Sequence, residues 1–187
     1  MFAKKISKST NAASVRVASI DDINGIMHVE VCSFPENIRY SRSKILSRLE
    51  GNNDGSSQER EYFVAEKEGN IVGYGELAIQ SPDVALCGHT TPVIRKIGAL
   101  DNVVGVLISM GVLPDARGGG IGEALVNARL QYLRNKGIQQ VFAHAWQNGG
   151  FRNVARKTGF MPIEEWGVKY YADGSRGTLY YAFLKRR

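Results

Sequence analysis

Cysteine is scarce in this chain of 187 residues, standing only at Cys32 and Cys87. Two thiols cannot staple a small secreted domain, and they fit a reducing compartment. Long apolar runs are missing too. None approaches the ~20 residues of a membrane span, and the opening MFAKKISKST lacks the apolar stretch of a secretory signal. A cytoplasmic protein with no membrane partner is expected. The formal charge of +6 invites a nucleic-acid reading, because clustered Lys and Arg neutralise phosphates. Yet Lys4, Lys5 and Lys8 lie in an N-terminal tail, Lys185 to Arg187 end the chain, and the charges between alternate in sign. No nucleic-acid partner is therefore expected. Metal ligands are equally sparse: Cys87-x-His89, with Cys32 or His28, falls short of a zinc signature, and no metal is expected.

What is present suits one buried core. At 43% apolar content the chain is long enough for a single domain and too short for two ordinary ones. A disordered basic tail over 1–13 and one domain over 14–187 are expected. Val15 and Val17 alternate with Arg16 as a short strand, and Asp21-Asp22 supplies an N-cap and acidic first turn for a helix carrying Ile23, Ile26, Met27 and Val31. A second helix is expected near Ser41 to Glu50, then a mobile loop. Strands at Tyr62 to Glu66 and Ile71 to Ile79 follow, joined by a tight turn at Glu68-Gly69-Asn70. The stretch 81–102 reads as a long loop or extended hairpin that shapes a substrate mouth. Further on, Gln140 to Trp146 reads as a strand, a short basic helix runs to Lys157, and Met161 to Tyr171 and Thr178 to Leu184 read as final strands.

The stretch Val106 to Leu125, VLISMGVLPDARGGGIGEAL, organises the rest. An apolar run reads as a strand, passes through Pro114 and Asp115 into Gly118, Gly119 and Gly120, and enters a helical pattern with Ile121, Leu125, Ala128 and Tyr132 on one face. The first amides of a helix lack partners within it and, with the helix dipole, attract anionic oxygens. Glycines let the backbone approach such a ligand, and Arg117 adds a positive charge, so a pyrophosphate would fit. The loop lacks the Lys-Ser/Thr pair of a nucleotide-hydrolase P-loop. It also lacks the third glycine of a dinucleotide fingerprint, where Glu123 stands.

What the loop does match is Arg-x-x-Gly-x-Gly, filled by Arg117, Gly120 and Gly122. On these residues, with the strand before them and the later Gly159-Phe160 pair, the chain resembles the GNAT superfamily of acyl-CoA-dependent N-acetyltransferases over Ser14 to Leu184. The resemblance implies an α/β (α+β) fold with a mixed, mainly antiparallel sheet of about six to seven strands and helices on both faces. It also implies acetyl-CoA as co-substrate and an amine-bearing small molecule or protein as acceptor, in a monomer or homodimer. Met110, Gly111 and Val112 are then expected to give backbone contacts to the acetyl and pantetheine groups. Arg117, Gly118, Gly119, Gly120, Ile121 and Gly122 are expected to hold the pyrophosphate, and Asn148 the pantetheine arm.

The reaction implied is attack of an amine on an acetyl thioester. A lysine (~10.4) or α-amine (~8) is largely protonated near pH 7, so a base helps, and the thioester oxygen needs a donor as it gains charge. N-terminal acetyltransferases of this superfamily often place a Tyr seven residues after the asparagine and a Glu five before it. Here those positions are Ala155 and Ala143. The remaining candidates for proton transfer are Glu76, His89 and His144 as base, with Tyr170 or Tyr171 as acid. Alternation aims His144 to the face opposite Ala143. Ser33-Phe34-Pro35, and Tyr170-Tyr171 with Asp173-Gly174, look like the ribosomal-protein N-terminal acetyltransferase branch. A small-amine or antibiotic-type acetyltransferase is the rival enzyme. A non-catalytic acyl-CoA-binding sensor is the rival that Ala143 and Ala155 favour.

Overall fold

A computed structural model describes residues 13–52, 55, 59–87, 90–146, 150–163 and 177–184. In chain order the elements are β1 (Ser14–Val17), α1 (Ile23–Ser33), α2 (Arg42–Leu49), β2 (Glu59–Lys67), β3 (Asn70–Gln80), α3 (Pro82–Ala85) and α4 (Thr90–Ile97). Then come β4 (Val104–Val112), α5 (Ile121–Asn135), β5 (Gln140–Trp146), α6 (Phe151–Lys157), β6 (Met161–Pro162) and β7 (Gly177–Phe183).

Alternating apolar residues make β2 and β3 strands, and their link closes tightly because Glu68 and Gly69 take φ of 52° and 77°. Two successive left-handed residues match the twist of a hairpin. The strands form one seven-stranded sheet in the order β1-β2-β3-β4-β5-β7-β6. Every neighbouring pair is antiparallel except β4 and β5, which α5 connects as a crossover.

Alternation along the strands sorts side chains to two faces. On one, Leu77, Leu107, Ala143 and Tyr180 meet the α5 stripe of Ile121, Leu125, Val126, Leu130 and Leu133, with Ala155 of α6. The other face carries two separate clusters. Ile23, Ile26 and Val29 of α1 and Ile45 of α2 cover Tyr62, Val64 and Tyr74. Ala85, Leu86 and Val93 from the α3–α4 region cover Val104, Val106, Phe142, Leu179 and Tyr181. The mixed, mainly antiparallel sheet with helices on both faces is thus as expected.

Three readings change. The stretch 81–102 holds two helices in place of a loop or extended hairpin. Pro82 sits at the start of α3 and Pro92 in the first turn of α4, where a missing amide costs nothing, and Leu86 and Val93 are buried. Next, Asp22 does not open α1 as a simple cap. A 3-10 turn over Ile20–Asp22 precedes the helix, and the Asp22 carboxylate accepts the Ser19 N–H at 2.8 Å and two Arg16 nitrogens at 2.7 and 2.8 Å. Last, the buried stripe of α5 includes Arg129, while Ala128 and Tyr132 are only partly buried at its edge. The expected strand from Met161 is seen at Met161–Pro162, and 164–171 lies outside the described residues.

Candidate functional site

β4 and β5 pair only at Gly105/Val141, Val106/Phe142 and Leu107/Ala143. Both strands continue, β4 to Val112 and β5 to Trp146, so a wedge opens between them after Leu107. The cause lies on the opposite edge of β4. Glu76 faces Ser109 while Leu77 faces Leu107, which leaves Ile108 as an extra residue, and such a bulge bends its strand.

Beyond the bulge the Leu113 N–H donates to Val72 O at 2.9 Å. Main-chain groups on a paired strand alternate in direction. Gly111 and Ser109 therefore bond toward β3, and Met110 and Val112 turn their main-chain groups to the wedge. In keeping with this, Val112 O accepts Arg117 Nε at 3.0 Å and Ser33 Oγ at 3.3 Å. A Cβ at Gly111 would lie 3.0 Å from Val29 Cγ1 and 3.1 Å from Ser33 Oγ, so glycine here lets the end of α1 lie against β4.

The chain leaves Val112 through a 3-10 turn at Pro114–Ala116 and reaches α5 through the glycines. Gly118 and Gly120 take φ of 82° and 81°, and a Cβ on either would meet no atom within 4 Å. Glycine is called for there by backbone conformation, and the space above the loop is open. The first bond of α5 runs from Ala124 N–H to Gly120 O at 2.9 Å, so the amides of Ile121, Gly122 and Glu123 have no intrahelical acceptor. Three open amides, a helix dipole and Arg117 at the mouth of the wedge fit a pyrophosphate-bearing ligand.

Two polar groups inside the sheet escaped the sequence reading. Arg129, buried on α5, donates from Nε to Leu125 O at 3.1 Å, from Nη1 to Glu76 O at 3.0 Å and Ser109 O at 3.2 Å, and from Nη2 to Met110 Sδ at 3.2 Å. On the other face the Tyr74 hydroxyl donates to Glu30 Oε2 and lies 3.0 Å from Ser109 Oγ. The Tyr40 N–H donates to Glu30 Oε1 at 2.7 Å. Burial pushes the Tyr74 hydroxyl far above its ordinary value, with the Glu30 charge adding to it, so it stays a proton donor. A basic residue in the 125/129/133 stripe, and an acid at 30 beside Ile23 and Ile26, were the signals available.

Of the expected catalytic residues, Glu76 is fully buried and its Oε1 accepts Arg48 Nη1 and Arg60 Nη1, each at 2.9 Å. Burial pushes its carboxyl up while Arg48 and Arg60 pull it back. His144 points away from α5, as alternation requires, with Nε2 3.1 Å from Ala85 O. Ala143 and Ala155 are packed in the core. His89, Asn148 and Tyr171 lie outside the described residues. Among the described residues no group of three or more His, Cys, Asp or Glu gathers to hold a metal, and no helix is long and apolar enough to cross a membrane.

Residues 24–160 match the sequence model of the Acetyltransferase (GNAT) family. A mycothiol acetyltransferase from Saccharomonospora viridis is 34% identical over 116 residues, which are 61% of this chain and 33% of that protein. The chain thus spans about a third of the length of the curated relatives it matches. Among solved structures, the loading GNATL domain of CurA from Lyngbya majuscula superposes with a TM-score of 0.68 at 19% identity, covering 95% of this chain and 100% of that one. The PaiA N-acetyltransferase from Thermoplasma acidophilum, in complex with coenzyme A, gives a TM-score of 0.63 at 15% identity, covering 92% and 99%. At these identities the two structures speak for the fold.

Proposed function

Because this chain belongs to the Acetyltransferase (GNAT) family, whose model covers residues 24–160, we propose that it is an acyl-CoA-dependent N-acetyltransferase with a primary amine as acceptor. The observation that carries this reading is the alignment of two openings. The open amides at the start of α5 lie next to the wedge where β4 leaves β5, so one elongated ligand can place its pyrophosphate at the first and its thioester at the second. Acetyl-CoA supplies an activated acyl group. Every other role belongs to the protein.

Arg117 to Gly122 hold the phosphates, and the turned main chain of Met110 and Val112 orients the arm in the wedge and offers N–H donors to the thioester oxygen as charge develops. The acceptor arrives on the opposite face, between the α1–α2 and α3–α4 clusters, where the half-buried Ser109 hydroxyl stands. An ammonium acceptor must lose a proton before it attacks. Ser109 Oγ takes it and passes its own proton to Tyr74, which passes its own to Glu30. In this reading the path does the work that N-terminal acetyltransferases of the superfamily often give to a Glu at the position of Ala143 and a Tyr at that of Ala155. Glu76, held by Arg48 and Arg60, serves the architecture of the sheet in this reading.

The test is calorimetry with acetyl-CoA, followed by turnover over peptides with free α-amines, lysine peptides, small amines and the acceptor of the mycothiol acetyltransferases. Gly120→Glu places a side chain and a negative charge against the pyrophosphate and is expected to weaken acetyl-CoA binding at least tenfold. Unchanged affinity in the folded variant removes the reading. Tight binding with no turnover on any acceptor favours the acyl-CoA sensor, for which Ala143 and Ala155 speak.

A further inference from the structure

Arg129 is 1% exposed, and all its hydrogen bonds go to carbonyl oxygens and a thioether. A guanidinium so placed is costly, since water is gone and no carboxylate bonds to it directly. The sheet nonetheless makes room for it. A Cβ at Gly75 would lie 2.8 Å from its Cζ, so the strand beside β4 carries a glycine where the cation lies. Burial pulls Arg129 down to about 9, with the Glu76 charge pushing back, and it remains a cation at pH 7.

Its position is specific. Nη1 bridges Glu76 O and Ser109 O, at 3.0 and 3.2 Å, which are carbonyls of the two residues that face each other at the bulge. The Ser109 carbonyl and the Met110 N–H belong to one planar peptide unit with shared electrons. A cation bonded to the carbonyl end withdraws density from that unit and strengthens its N–H as a donor. That N–H is one of those turned to the wedge.

We infer that Arg129 is a positioning residue for acyl transfer, pinning the β4 bulge and polarising the Ser109–Met110 peptide so that the Met110 N–H grips the thioester oxygen of bound acetyl-CoA. This rests on the acetyltransferase reading above. It adds a charge that acts through the backbone and never touches the substrate. The benefit grows as the oxygen gains charge, which is where a fixed donor accelerates a reaction.

The test is isotope-edited infrared spectroscopy of acetyl-CoA labelled with carbon-13 at the thioester carbonyl, bound to wild type, Arg129→Met and Gly75→Ala. The wild type is expected to lower the carbonyl stretch from its position in water. In Arg129→Met most of that shift is lost while acetyl-CoA affinity stays within about threefold, since the phosphate loop is untouched. With an acceptor in hand, kcat falls about 10- to 100-fold, less than the 10² to 10³ for deleting a donor outright, and KM for acetyl-CoA holds. Gly75→Ala crowds the guanidinium without removing it and gives a partial loss, which covers the case in which the methionine variant does not fold. A wild-type shift that both folded variants keep, or no shift in a wild type that binds, overturns the inference even if melting temperatures fall. No acetyl-CoA binding by wild type brings down the reading of the site, and this inference with it.

Discussion

Ser109 offers a half-buried hydroxyl 3.0 Å from Tyr74, and it occupies this place because the extra residue in β4 brings it to the α1 face. Ser109→Ala removes one oxygen and opens little space. On the proton path proposed above, kcat is expected to fall about 10²-fold, in the range for losing a positioned acid or base, with acetyl-CoA affinity and melting temperature held. Steady-state turnover beside calorimetry measures both, and a wild-type rate in the variant sends the proton elsewhere. Ser109 was not legible in the chain, and Arg129 showed only as a basic residue within the apolar stripe of α5. A serine in a strand is ordinary, and an arginine on a helix is usually at the surface. The glycines of the loop were legible, because few other contexts need them so densely before a helix.

At the scale of elements, Arg16 and Asp22 tie β1 to the start of α1 through two nitrogens and two oxygens, at 2.7 and 2.8 Å. The Arg16 hydrogen bonds hold the Asp22 carboxyl below its ordinary value against the opposing effect of burial. A carboxylate lowered in the folded state stabilises above its unfolded value of about 3.9 and loses that contribution as pH falls through the folded one. Arg16→Met is therefore expected to lower stability at pH 7 and to converge on wild type at the acid end. Arg16 is half exposed, so the loss is about 1 kcal/mol or less. Urea midpoints at neutral and acid pH check this, and an equal gap at both ends contradicts it. The hairpin at Glu68-Gly69 and the helix after the glycines follow from neighbours in sequence. The helices of 81–102 did not announce themselves, since two prolines and a mixed composition read as a loop until the buried faces of Leu86 and Val93 are seen.

Across the whole molecule the sheet separates two tasks. The face under α5 and α6 carries the glycine loop proposed to hold the phosphates, the other carries α1 to α4, and the wedge lies where β4 and β5 part. Damage to one face should therefore leave the other working. Leu86, fully buried against the β4–β5–β7 side, is a clean probe. Leu86→Ala is expected to cost about 2–5 kcal/mol in urea unfolding, while acetyl-CoA affinity stays within about threefold. A parallel loss of affinity would show that α3 and α4 shape the cofactor site as well.

Sequence alone decided the periodic and the punctuated parts of this protein. Alternation made strands, glycines with positive φ made the tight turn and the loop before α5, and their order pointed to the family. Those features depend on residues within a few positions of one another, so they survive in a linear string. The bulge at Ile108, the wedge beyond it, the burial of Arg129 against Gly75 and the meeting of Glu30, Tyr74 and Ser109 belong to tertiary structure alone. Each depends on strand register or on which helix lies over which strand. A register is chosen by the summed packing of whole faces, a quantity that no local window of the chain contains.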